Sequence, residues 1–130
     1  MSEEPPRGEP PQPGEAPDIG VYGVGEHAEP AIVRLEGEHD IATRSELKLA
    51  FQRVRNNPRV IVDLTGLSYI DSYVIDELFR AAMRAGALEG KLVIMTRSQR
   101  IIRLLSIAGL TTRTPIVDTL DSALRELLKA

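Results

Sequence analysis

From Ala31 onward the chain alternates four times between a short apolar run of strand type and a segment whose apolar residues recur at helical spacing. The runs are Ile32, Val33 and Leu35; Val60-Ile61-Val62; Leu92-Val93-Ile94-Met95; and Pro115-Ile116-Val117. Uninterrupted β-branched stretches such as Val60–Val62 suit strands covered on both faces. Strands that alternate with helices and share one sheet run mainly parallel, joined by right-handed crossovers. The pattern therefore predicts a single α/β domain: a mainly parallel mixed sheet of about four to five strands packed with four helices.

The intervening segments supply the helices. Leu47, Ala50, Phe51 and Val54 fall at i, i+3, i+4 and i+7, as do Ile75, Leu78, Phe79 and Ala82. Ile101, Leu104, Leu105 and Ala108 mark a third helix, and Leu120, Ala123, Leu124 and Leu127 a fourth. Thr43 with Glu46 reads as a capping box. Asn56-Asn57-Pro58 stops the first helix. Gly109 reads as the C-cap that ends the third, and Asp118 or Thr119 caps the fourth.

The first 30 residues are built differently. They hold seven of the nine prolines, and seven acids against one base, Arg7. Ser2–Asp18 has too few large apolar side chains to offset the entropy of ordering it. Residues 1–18 are expected to form a disordered tail and residues 19–130 the folded domain, with an added edge strand at Ile19–Val24. Residues 31–130 carry 15 bases and 12 acids without a concentrated basic stripe, which argues against direct nucleic-acid binding. With no cysteine there are no disulfides, thiolate metal sites or cysteine nucleophiles. No apolar run approaches the length of a membrane span and there is no charged-then-apolar stretch of leader type, so no secretory signal is expected. A soluble, cytoplasmic chain without membrane contact is expected.

The chemistry of the chain concentrates between Val60 and Val74. A buried-type strand ends in Asp63-Leu64-Thr65-Gly66, and a helix is expected to begin at Asp71-Ser72. Open α/β sheets meet ligands and partners at the carboxyl ends of their strands and at helix N-termini. Asp63, Asp71 and Asp76 have the residue type of a Mg²⁺ site. Turn and cap roles explain them more simply, so no metal or other cofactor is expected. His39, Asp40 and Ser72 are the residue types of a nucleophilic triad, but the Gly-x-Ser-x-Gly turn that exposes such a serine is missing. There is no Gly-x-Gly-x-x-Gly and no Gly-Lys-Ser/Thr loop, and Gly66 reads as a turn residue. The sequence does not read as an enzyme.

Three motifs in order resemble the STAS domain of bacterial anti-sigma factor antagonists. They are Leu35-Glu36-Gly37-Glu38-His39-Asp40, then Val62-Asp63-Leu64-Thr65-Gly66-Leu67 leading to Ile70-Asp71-Ser72, then Leu104-Leu105-Ser106-Ile107-Ala108-Gly109-Leu110. The resemblance spans about Ala31 to Leu128. It implies a binding switch: the domain binds an anti-sigma factor, often itself a serine kinase, and so releases a sigma factor. The kinase phosphorylates a serine at the start of the second helix, the complex dissociates, and a phosphatase resets it. A phosphate adds roughly −1.5 to −2 charges; a free helix N-terminus tolerates them and a docked interface need not.

At that place the chain departs from the family pattern, Asp-Ser-Ser-Gly, in which the second serine is modified. Tyr73 occupies the acceptor position and Val74 that of the glycine, while Ser72 matches the first serine. A phenol carries its oxygen far beyond the reach of a serine hydroxyl, so Ser72 remains the candidate phosphorylation site, unless it caps the helix instead. Asp40, Asp71, Ser72, Tyr73 and Val74 are the expected partner-binding residues. Alternative readings are a regulatory or scaffold STAS protein that assembles with other STAS domains, with weak self-association, or a module that binds a nucleotide or lipid.

Overall fold

The computed structural model describes residues 18–22, 30–37 and 44–129. The strands are β1 (Asp18–Tyr22), β2 (Ala31–Glu36), β3 (Arg59–Gly66), β4 (Lys91–Met95) and β5 (Ile116–Val117). The helices are α1 (Arg44–Arg53), α2 (Ser72–Ala87), α3 (Gln99–Ile107) and α4 (Leu120–Leu128), with a 3₁₀ turn at Leu110–Thr112. The strands lie in the order β1-β2-β3-β4-β5. β1 pairs antiparallel with β2, and the other three pairings are parallel. The expected edge strand thus forms at Asp18–Tyr22. The stretch proposed as a tail lies outside the described residues, apart from Asp18, which opens β1.

Strand order follows chain order from β2 to β5, so three crossovers of one hand must lay their helices on the same side of the sheet. The burial pattern agrees. Val33, Leu35, Val62, Leu64 and Ile94 share one core with Leu47 and Phe51 of α1, Val74 and Leu78 of α2, and Ile101 and Leu105 of α3. Ile61, Val93 and Met95 point to the opposite face, where Ala123 of α4 meets them. Central strands buried on both faces are why Val60–Val62 and Leu92–Met95 read as unbroken apolar runs rather than alternating ones.

Two helical faces differ from the expected phase. In α2 the deeply buried stripe is Val74, Leu78, Ala81 and Ala85, whereas Ile75, Phe79 and Ala82 only flank the core. The helix is rotated so that its small residues meet the sheet. In α4 Ala123 is buried, but Leu120 and Leu124 are exposed, because one short helix covers that face and meets the strand residues through Ala123 and Leu127.

The loops are set by close approaches. Gly90 donates no side chain where β4 begins: a Cβ there would lie 1.7 Å from the carbonyl oxygen of Pro58. Lys91 N–H donates to that same oxygen at 2.7 Å. Gly66 is not a turn residue. It is the last residue of β3, paired with Glu36, and a Cβ would meet the Glu36 Cγ at 2.9 Å. Gly109 has φ 85° just beyond α3, as expected of a helix stop. Thr119 caps α4 by accepting from the Ser122 N–H at 3.1 Å. Thr43, of the expected capping box, lies outside the described residues.

Candidate functional site

The carboxyl end of β3 delivers the chain to the start of α2 through a loop pinned at both ends. Leu67 N–H donates to the Leu64 carbonyl at 3.0 Å. Leu67 and Ile70 are then buried in the core. Between these anchors Tyr69 is pushed outward and is 60% exposed. Two buried apolar residues three apart thus hold an aromatic ring in solvent beside the helix start.

Asp71 is the N-cap of α2. Its backbone is extended and its Oδ1 accepts from the Val74 N–H at 3.0 Å, a contact that satisfies one of the free amides of the first turn. The cap role falls to the acid, so Ser72 does not fill it: Ser72 is the first residue of the helix and is exposed. Tyr73 is half-buried and packs against the main core. Its hydroxyl makes a long contact to the Arg44 carbonyl oxygen at 3.5 Å, and the Arg44 guanidinium lies 4.8 Å from its ring centroid. The aromatic side chain therefore fastens the start of α2 to the start of α1.

Val74 points the other way. It is 1% exposed and belongs to the main core, so its side chain offers no contact area to a partner. One helical step of about 100° separates it from the surface-facing Tyr73. Asp40 lies outside the described residues. Of the expected partner residues, Asp71, Ser72 and Tyr73 therefore sit together at the surface.

The carboxylates weighed as a metal set each have a local partner. Asp63 Oδ1 accepts from the Thr65 N–H at 2.9 Å and from the Thr65 hydroxyl at 2.6 Å. Asp76 pairs with Arg80 at 3.1 Å, and Asp71 caps the helix. Among the described residues no three His, Cys, Asp or Glu side chains are grouped to hold a metal ion. No helix among them is long and apolar enough to cross a membrane. A separate cavity of about 770 Å³ lies at the far end of α2, lined by Phe79, Ala82, Met83, Gly86, Leu92 and Leu110 among others.

Sequence reasoning overlooked two residues of this surface. Tyr69 reads as part of a turn, and its exposure follows only once Leu67 and Ile70 are known to be buried. Arg44 carried a signal: a cation at the first position of a helix, where acids are favoured.

The fold agrees with what known proteins show. The family described as STAS domain matches residues 22–123. The chain belongs to the STAS domain family. Among solved structures, the STAS chain is similar to an anti-sigma factor antagonist from Mycobacterium paratuberculosis, with 23% identity, a TM-score of 0.74, and coverage of 88% of this chain and 96% of that one. It is also similar to SpoIIAA of Bacillus, described as a cell fate determinant and solved in the phosphorylated form, with 17% identity and a TM-score of 0.65 over 84% of this chain and 98% of that one. The unphosphorylated form of the anti-sigma factor antagonist SpoIIAA matches at 17% identity and a TM-score of 0.68 over 84% and 95% of the two chains. At these identities the structures share the fold. No curated protein sequence matches the chain.

Proposed function

We propose that this STAS protein is an anti-sigma factor antagonist that meets a serine-kinase-type anti-sigma factor through the start of α2, and that it lacks the family's switch at the Tyr73 position. The observation that carries the reading is the division of labour at that helix start. Asp71 does the capping, so Ser72 and Tyr69 are left exposed and free for contact, while Tyr73 is held against Arg44. Solved anti-sigma factor antagonists with the same fold support it. Tyr73 is half-buried and stacked where the resemblance would place a short serine, so a kinase would have to extract the ring before modifying it. Ser72, exposed and relieved of capping, is the hydroxyl left open to phosphorylation and then to a phosphatase.

The test is to incubate the full chain with each purified kinase-type anti-sigma factor of the source cell, with Mg²⁺ and ATP. The expected result is a complex that co-elutes on gel filtration, with fragment spectra that show Tyr73 unmodified. Phosphate on Tyr73 overturns the loss of the switch, and phosphate on Ser72 that also disrupts the complex relocates it by one residue. A second reading, a module for a small ligand such as a nucleotide or lipid, is favoured by the cavity beside Phe79 and Leu110. Its volume lies within the usual range for ligand sites, roughly 300–1,000 Å³.

A further inference from the structure

Arg44 occupies a place that the other described residues do not explain. It is the first residue of α1, where the helix dipole presents partial positive charge and disfavours a cation. Its Nε is buried and has no hydrogen-bond acceptor among the described residues. Glu46, the acid of the first turn, is two positions on and faces another direction. What holds the guanidinium is the Tyr73 ring, 4.8 Å below it. That contact holds the group over the ring and leaves its Nε donor without an acceptor. A buried donor without an acceptor is costly in the free protein, and an anion that pairs with the outer nitrogens of the guanidinium offsets the unfavourable meeting of cation and helix dipole.

We propose that Arg44, oriented by Tyr73, is an anion receptor within the partner surface and takes a carboxylate side chain of the anti-sigma factor. The planar fork of arginine matches a carboxylate in two-point geometry. The neighbouring α2 start adds free amides of its own, and the exposed Tyr69 adds apolar area beside it. The occupant is therefore an acidic protein surface. The inference rests on the proposed function, and it gives Tyr73 a role: it is a positioning residue for Arg44.

The experiment is calorimetric titration of the full chain, wild type and Arg44→Glu, Arg44→Gln and Arg44→Lys, with each purified kinase-type anti-sigma factor of the source cell. Arg44→Glu is expected to weaken binding about 30-fold or more, with Arg44→Gln and Arg44→Lys between it and wild type. Wild-type affinity should fall with added salt more steeply than that of Arg44→Gln. Changing one partner acid to arginine should restore binding to Arg44→Glu. If Arg44→Glu does not fold, Arg44→Gln and Arg44→Lys carry the test. Wild-type binding that is unchanged in the folded variants overturns the receptor and leaves the proposed function standing. Failure of every anti-sigma factor to bind wild type overturns the proposed function itself.

Discussion

Two helix starts of this domain carry a serine, and the two serines differ in what is left of them. At α3, Ser98 is the N-cap: its hydroxyl accepts from the Ile101 N–H at 3.2 Å, and its own N–H donates to Thr96 Oγ1 at 3.2 Å. At α2 the cap is Asp71, and Ser72 is displaced one position into the helix, exposed. The same residue type at nearly the same local address is consumed by structure in one case and left over in the other. The candidate site of a small binding domain lies where polar groups remain after the fold has used what it needs.

That contrast can be broken by substitution. The largest effect is expected just beneath the site. Val74→Ala removes two methyl groups from a side chain that is 1% exposed and should destabilise the domain by about 2 kcal/mol in urea unfolding. Next come the two caps: Asp71→Ala and Ser98→Ala should each cost about 1 kcal/mol in the same assay. Ser72→Ala should fall within about 0.5 kcal/mol of wild type, as an exposed position outside the cap does. A cost for Ser72→Ala equal to that for Ser98→Ala would mean that both serines are structural, and the contrast would be lost.

Binding should follow the opposite order. Tyr73→Ala is expected to weaken the anti-sigma factor complex by about 1–3 kcal/mol, the range of an interface anchor. Ser98→Ala should leave the affinity unchanged. Because Tyr73 also packs on the core, Tyr73→Phe separates the roles. It keeps the ring and the Arg44 stack, loses only the long 3.5 Å contact, and should bind as wild type.

The fold is largely legible in the amino-acid sequence, for a physical reason. Parallel sheets bury their central strands on both faces, so Val60–Val62 and Leu92–Met95 declare themselves as runs, and the helical period between them leaves little choice of topology. Helix phase was less legible. Val74 looked like a surface residue next to Tyr73, because spacing among Ile75, Leu78, Phe79 and Ala82 gives a stripe but not its rotation to within one residue. Ala81 and Ala85 decide that rotation by permitting close approach to the sheet. Gly66 looked like turn chemistry, and it is instead a strand residue that leaves room for the Glu36 side chain. The long-range partnership of Arg44 with Tyr73, 29 residues apart, has no local signature at all.

The proposed function places the partner at the start of α2. It is tested most directly by mapping the amide resonances of the full chain as a purified anti-sigma factor is added. Shifts and broadening are expected to centre on Tyr69, Asp71, Ser72 and Tyr73 and to extend to Arg44 across the helix pair, while the amides of Ser98 to Ile101 stay in place. A footprint centred on the start of α3, or on Met83, Gly86 and Thr114 around the cavity, would contradict it.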